Sequence, residues 1–334
     1  MKTILSLVLI TSSLYAADDA ITRIHFGSCI KHDRPAPLLD TILKDRPEMF
    51  IFLGDNIYGD TSDMKVLQAK YDRLAAIPGF AKLRQTTRVL ATWDDHDFGK
   101  NDAGADYQMR RESQALFLKF WEGQVNQRPG VYRSHSFGPK GKRVQVILLD
   151  TRYFRGPLKT GPRRTGGPYY PQPDPSVPML GEAQWNWLEE QLKQSADIRI
   201  VGSSIQCVPE ASGQETWSNL PAERKRFFDL ISKTKANGVI IISGDRHWSE
   251  ISSLSKGVPY PVYDVTSSSI NQLHKRGTPT KNRFRAVPTS FHRENFGRLS
   301  IDWKRDDPMI TAEVIDMEGQ VRIAKKLFLS ELQP

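Results

Sequence analysis

Six stretches of this chain are almost unbroken apolar runs of strand length: TRIHFGS (22–28), EMFIFLGD (48–55), TRVLATW (87–93), RVQVILLD (143–150), IRIVGSS (198–204) and GVIIISGD (238–245). Runs without polar alternation suit strands buried on both faces, which requires sheets covered by further layers. The segments between them carry helical spacing instead. In 107–121, Tyr107, Arg111, Ala115, Leu116 and Phe120 recur at helical intervals, 181–194 is a second candidate, and 221–235 opens with Pro221 at a favoured first-turn position. Such alternation predicts an α/β fold with helices on the sheet faces. The tail differs: PVYDVTSSS, GRLSIDW, MITAEVID and GQVRIAKKLFL follow one another with turns at Asp306-Asp307-Pro308 and Glu318-Gly319. Antiparallel strands are therefore expected in the C-terminal part. There is no internal repeat and no heptad run.

At 334 residues, 39% hydrophobic and 25% charged, the chain has the balance of a globular protein large enough to bury a sizeable core. Its first residues, MKTILSLVLITSSLYAADDA, place one lysine before an apolar run and small residues before an acidic segment. This order predicts a secretory signal peptide over residues 1–16 and a periplasmic or extracellular protein. The run is shorter than the roughly 20 apolar residues of a membrane-spanning helix, so no transmembrane segment is expected in the mature protein. Cys29 and Cys207 could form a disulfide in an exported chain. Their contexts argue otherwise, because Cys29 follows a strand beside ligand-type residues and Cys207 resembles a small core hydrophobe.

The net charge of +9 suits anionic substrates or surfaces. Segment 271–293 carries six Lys/Arg and no acid, and it reads as an anion-attracting loop without an RNA-binding or zinc-finger pattern. Residues 155–180 contain seven prolines and four glycines, a composition expected to form neither helix nor strand. Loops of that length are commonly functional, and Arg163, Arg164, Tyr169 and Tyr170 would suit a substrate-side wall.

Four of the apolar runs end in residues that bind cations. FGSC supplies Cys29; LGDNIYGD supplies Asp55, Asn56 and Tyr58; ATWDDHDFGKND supplies Asp94, Asp95, His96 and Asn101; SGDRH supplies Asp245 and His247. Ligands of open α/β sheets bind beyond the carboxyl ends of strands, so these residues are expected to converge. A lone Asp after Gly is commonly a turn or cap residue, but four such ends together are not explained that way. Carboxylates, a thiolate and imidazoles buried at one place need compensating cations. Carboxylate and amide oxygens suit hard ions, and a thiolate with a phenolate suits a trivalent ion such as ferric iron, so more than one metal is implied.

FGSC, LGDNIY, TWDDHD and SGDRH, in this order and spacing, resemble the alkaline phosphatase D (PhoD-like) family of calcineurin-like metallophosphoesterases. LLDTRYFR, with Asp150 and Arg152, and WSNLPAERKRFF are similar to further family segments, and the resemblance runs from about residue 22 to 300. It implies a four-layer α/β/β/α sandwich, with residues 17–334 forming a single catalytic domain that lacks the N-terminal β-domain of many relatives. It also implies a centre of ferric iron with calcium, other divalent metals being compatible. Cys29, Asp55 and Tyr58 would hold the iron, Asp55 bridging to a neighbouring ion, while Asp95, Asn101, Asp245 and His247 would complete the other sites.

The expected chemistry is attack of an activated water on the phosphorus of small phosphate monoesters or diesters. His96, beside Asp95, is the candidate for protonating the leaving oxygen, with the alternative that it is a ligand or structural partner. Asn56, Arg152 and Arg246 are candidates for gripping phosphate, although Arg152 could equally form a buried ion pair. Two other readings stand beside this one. A phospholipase-like enzyme would act on the head groups of anionic lipids, and a non-catalytic nucleic-acid-binding relative would keep the fold without the ligand set. Lipid and oligonucleotide substrates remain open, and no stable nucleic-acid partner is expected.

Overall fold

All six apolar runs form strands in the computed structural model, which describes residues 19–123, 128–210, 213–274 and 281–334. The signal peptide predicted over 1–16 lies outside the described residues, as do residues 275–280 of the basic segment. In chain order the strands are β1 (Arg23–Gly27), β2 (Met49–Leu53), β3 (Arg88–Thr92), β4 (Arg133–Phe137), β5 (Val144–Leu148), β6 (Lys159–Arg164) and β7 (Gly167–Tyr170). They continue with β8 (Ile198–Ser203), β9 (Val239–Ser243), β10 (Glu250–Leu254), β11 (Val262–Thr266), β12 (Asn295–Asp302), β13 (Met309–Asp316) and β14 (Val321–Phe328). The helices are α1 (Leu38–Lys44), α2 (Met64–Ala75), α3 (Pro78–Thr86), α4 (Asp95–Phe98), α5 (Arg110–Glu122), α6 (Gly181–Leu192) and α7 (Pro221–Thr234).

Two six-stranded sheets carry the architecture, ordered β14-β13-β12-β1-β2-β3 and β10-β11-β9-β8-β5-β4. β1, β2 and β3 pair in parallel, as do β5, β8, β9 and β11. The apolar runs are all among these parallel strands, as expected of strands buried on both faces. The C-terminal strands β12, β13 and β14 extend the first sheet antiparallel to one another and to β1.

The pleat of β2 explains the layering. Met49, Ile51 and Leu53 face a core shared with β5, β8 and β9, and Trp185 and Leu188 of α6 and Phe227 and Ile231 of α7 cover the far side of that sheet. Phe50 and Phe52 face the other way, onto Leu39 and Ile42 of α1, Leu67 and Tyr71 of α2, Phe80 of α3 and Phe117 of α5. The result is a four-layer α/β/β/α sandwich. Removing a ring such as that of Phe52, fully buried between sheet and helices, costs about 3–5 kcal/mol.

The Pro/Gly-rich segment 155–180 does contain strands, contrary to expectation. β6 and β7 pair antiparallel as a separate two-stranded hairpin with a register break between Thr160 and Arg164. A two-stranded ribbon leaves half of its backbone groups unpaired, so prolines fit where an inner sheet strand would reject them. No helix among the described residues is long and apolar enough to cross a membrane.

Candidate metal centre

The carboxyl ends of β1, β2, β3 and β9 meet at one edge of the sandwich, and tight backbone contacts hold them there. Cys29 N donates to Gly54 O at 3.3 Å, and Ile30 N donates to Asp55 O at 2.9 Å. Gly54 has φ +95°, and a Cβ there would lie 2.4 Å from the Cβ of Asp94, so only glycine lets the β2 and β3 ends approach this closely. The chain then turns abruptly at several of the ligand-type residues. Among described residues, eight non-glycine positions have positive φ, and six of them are Cys29, Asp55, Asp60, Asp102, Asp245 and His247. Each such conformation costs on the order of 1–2 kcal/mol, and clusters of them mark sites that the surrounding fold imposes.

Asp55 lies at the centre. Its Oδ2 is 3.4 Å from Cys29 Sγ and accepts from Tyr58 OH at 3.2 Å, while Tyr58 OH is 3.0 Å from His247 Nε2. Ser268 steadies this side, 3.1 Å from Cys29 Sγ and accepting from His247 N at 2.8 Å. Donor atoms of Cys29, Asp55 and His247 fall within 4.8 Å of one another, as do those of Asp55, Asp95 and His96, and those of Asp95, Asp102 and Glu215. Asp245 and Arg246 line the same cleft, with Arg246 Nη1 2.9 Å from Asp245 Oδ2. Asn101 sits exposed at its mouth and donates to Asp102 Oδ2 at 2.8 Å.

The donor set fits metal ions. Asp55 Oδ1 and Asp95 Oδ1 are buried without a hydrogen-bond partner, a costly state that a cation relieves. Burial and the Asp55 charge push the Cys29 thiol well above its usual range, and burial with the Cys29 and Asp55 charges does the same to Tyr58. Burial, only partly offset by Arg246, raises Asp245 to about 6. Asp95 is held down at about 2, because Arg152, His96 and the Asp102 N–H outweigh its burial.

His96 is held by a carboxylate that the sequence did not single out. Its Nδ1 is 2.7 Å from Asp60 Oδ1, and its ring packs 4.3 Å from that of Tyr58. Burial alone would lower its pKa, but the charges of Asp55, Asp95 and Asp60 and the Asp60 hydrogen bond raise it to about 10.

Two candidates for gripping phosphate lie elsewhere. Asn56 is fully buried and donates to Thr92 O at 2.9 Å and Asp97 Oδ2 at 2.5 Å, bracing the β2 and β3 loops. Arg152 is also fully buried, bonding Asp94 Oδ1 at 2.6 Å and Glu215 Oε1 at 2.9 Å. Its guanidinium neutralises carboxylates behind the cleft floor, so phosphate cannot reach it. Asp150, the acid beside it in sequence, instead accepts from Trp93 Nε1 and from the Val131, Arg152 and Tyr153 N–H groups.

The basic segment is also partly neutralised, Arg283 by Glu210 and Arg285 by Glu250. The cleft also includes Asp102 and Glu215, neither of which is among the residues expected there from the sequence. Asp102 could have been found in HDFGKND, one residue past Asn101. Glu215 lies in a loop with no comparable signal.

A family model described as PhoD-like phosphatase matches residues 26–300. Alkaline phosphatase D of Bacillus subtilis (strain 168) is 23% identical over 267 residues, covering 68% of this chain but only 45% of that protein. Among solved structures, that of PhoD superposes with a TM-score of 0.70 at 17% identity, covering 93% of this chain and 69% of the other. The purple acid phosphatase PPD1 of yellow lupin (Lupinus luteus) reaches 0.62 at 12% identity, covering 95% and 55%. The chain thus spans about half the length of the curated relative it matches.

Proposed function

The chain belongs to the PhoD-like phosphatase family, and from that premise we propose that it is a metal-dependent phosphoesterase acting on small phosphate monoesters or diesters. The observation that carries the reading is the convergence of Cys29, Asp55, Tyr58, Asp95 and His247 with two partnerless buried carboxylate oxygens. Cys29, Asp55 and Tyr58 suit ferric iron, while Asp95, Asn101 and Asp245 suit calcium or another hard ion. Such ions, when bound, would activate water and neutralise charge on the phosphoryl oxygens.

The remaining steps belong to side chains. His96, oriented by the contact of its Nδ1 with Asp60, faces the cleft and, when protonated, can give a proton to the departing oxygen. Arg246 lines the cleft, where the outer edge of its guanidinium can meet a phosphoryl oxygen while its Nη1 stays on Asp245. The loop conformations at Cys29, Asp55, Asp245 and His247 hold the donors in place before any substrate arrives. The signal-type N-terminus supports export to the periplasm or beyond.

Elemental analysis of natively expressed protein, with turnover of a monoester, a diester and a phosphatidyl substrate, tests the reading and separates the substrate classes. We expect bound iron and calcium, loss of activity on strong chelation and recovery on adding calcium. Full turnover by protein shown to be metal-free would end it.

A further inference from the structure

Among the described residues, the arginines in and behind the cleft are paired with carboxylates, with one exception. Arg152 and Arg155 approach Glu215 at 2.8 and 3.2 Å, and Arg246 approaches Asp245 at 2.9 Å. Arg163 lines the same cleft from the β6–β7 hairpin, is exposed, and makes no hydrogen bond or ion pair with any described residue. Its direction follows from the strand. The register break between Thr160 and Arg164 sets residues 161–163 opposite Pro168 alone, and such irregular pairing re-aims side chains. The next residue, Arg164, turns the other way: its guanidinium stacks 4.1 Å from the Tyr170 ring, donates to Tyr169 O at 2.7 Å and borders a separate groove with Arg224 and Lys256.

The hairpin is not free to drift. Tyr169 OH donates to Asp102 Oδ2 at 2.5 Å, and Asp102 N in turn donates to Asp95 Oδ2 at 2.6 Å, so two bonds link the wall to the metal ligands. Tyr169 N also donates to Gly213 O at 3.2 Å. Gly167 lies so close that a Cβ there would be 2.3 Å from Gly213 O, which excludes any side chain at that crossing. Arg163 is thus an unpaired cation on a fixed wall. It is exposed at the rim, whereas the floor carboxylates Asp55 and Asp95 are only 1% and 4% exposed. A phosphoryl group seated on the floor would place its ester substituent toward that rim.

We propose that Arg163 is a specificity-determining residue that binds a second anionic group, carried by the leaving alcohol of the substrate. The enzyme then favours phosphate esters whose alcohol bears a phosphate or a carboxylate over esters of neutral alcohols. The inference rests on the phosphoesterase reading and deepens it.

Paired substrates test it: an alkanediol monophosphate against its bisphosphate, and phenyl phosphate against 4-carboxyphenyl phosphate, with the two arms distinguishing phosphate from carboxylate. The wild type should prefer the anionic member of at least one pair by about fivefold to tenfold in kcat/KM, the scale of a charge-assisted contact near solvent. Arg163→Gln should bring that ratio to near unity, chiefly through KM of the anionic substrate. Arg163→Lys should restore part of it, and Arg163→Glu should invert it. A ratio unchanged in Arg163→Gln, or a loss that scales both members equally, overturns the proposal. Binding of the matching mono- and bisphosphonates to metal-loaded protein reads the same preference without turnover. Absent turnover with an Arg163-dependent binding preference would therefore sink the catalytic reading and leave this one standing.

Discussion

At Tyr58 packing and chemistry make opposite predictions. The hydroxyl lies 3.2 Å from Asp55 and 3.0 Å from His247, and burial beside Cys29 and Asp55 disfavours the phenolate unless a cation is present. Tyr58→Phe keeps the ring and should fold normally, lose any phenolate-to-iron absorption band, and fall in activity by at least about tenfold, roughly 1.4 kcal/mol. Retained iron, spectrum and turnover would make it a packing residue. Arg152 is the opposite case. Arg152→Met strands Asp94 in the interior, leaves Glu215 with Arg155 alone, and should destabilise the fold by about 3–5 kcal/mol, read as a lower urea midpoint rather than a raised KM. The ligand-type residues were legible because they directly follow strands, where the end of a buried run fixes their location. Asp60 and Glu215 were not, because their carboxylates arrive along loops whose path depends on tertiary contacts. The buried ion pair foreseen as one reading of Arg152 forms, but with partners 58 and 63 residues away that sequence proximity could not name. Asp150, two residues before it, serves backbone N–H groups.

Elements are tied together by a smaller charged cluster away from the cleft. Asp45, the C-cap of α1, receives both of its oxygens' bonds from Arg298 of β12 at 2.8 Å and lies 2.9 Å from His25 of β1. Burial lowers the pKa of His25, so its neutral form favours the fold at pH above about 6.5, and stability is lost as pH falls below that value. Burial would raise the pKa of Asp45, but His25 and Arg298 bring it to about 2. Its contribution is complete above about pH 4 and disappears as pH falls toward 2. Urea midpoints should therefore decline on acidification in two stages. Asp45→Asn should cost about 1–2 kcal/mol at neutral pH and remove the lower stage; an unchanged acid profile would show that the cluster is not coupled to folding. Parallel strands were readable from their apolar runs. The β6–β7 hairpin was not, because its pairing depends on tertiary contacts such as Tyr169 with Asp102 and Gly213, which composition does not encode.

Across the whole molecule, the two cysteines are both free and buried, Cys29 at the strand-end cluster and Cys207 within the hydrophobic core. Native protein should resist thiol reagents at both positions and release two thiols on denaturation. A Cys29–Cys207 crosslink in active protein would refute the ligand role of Cys29. The covering of sheets by helices was legible because strand burial and helix spacing each demand a partner layer, whereas the four-layer α/β/β/α order came from the family resemblance and which loops close the cleft depends on how the two sheets face. The left-handed backbone at Cys29, Asp55, Asp245 and His247 has one further consequence. Glycine would relieve the torsion at any of them, and at Asp245 it would also remove a carboxylate facing Asp55 and Asp95. Asp245→Gly should melt above the parent in chelator and below it in saturating metal. Selection for thermal robustness and selection for turnover therefore pull position 245 in opposite directions, and a lineage that no longer needed the reaction would be expected to drift toward glycine there.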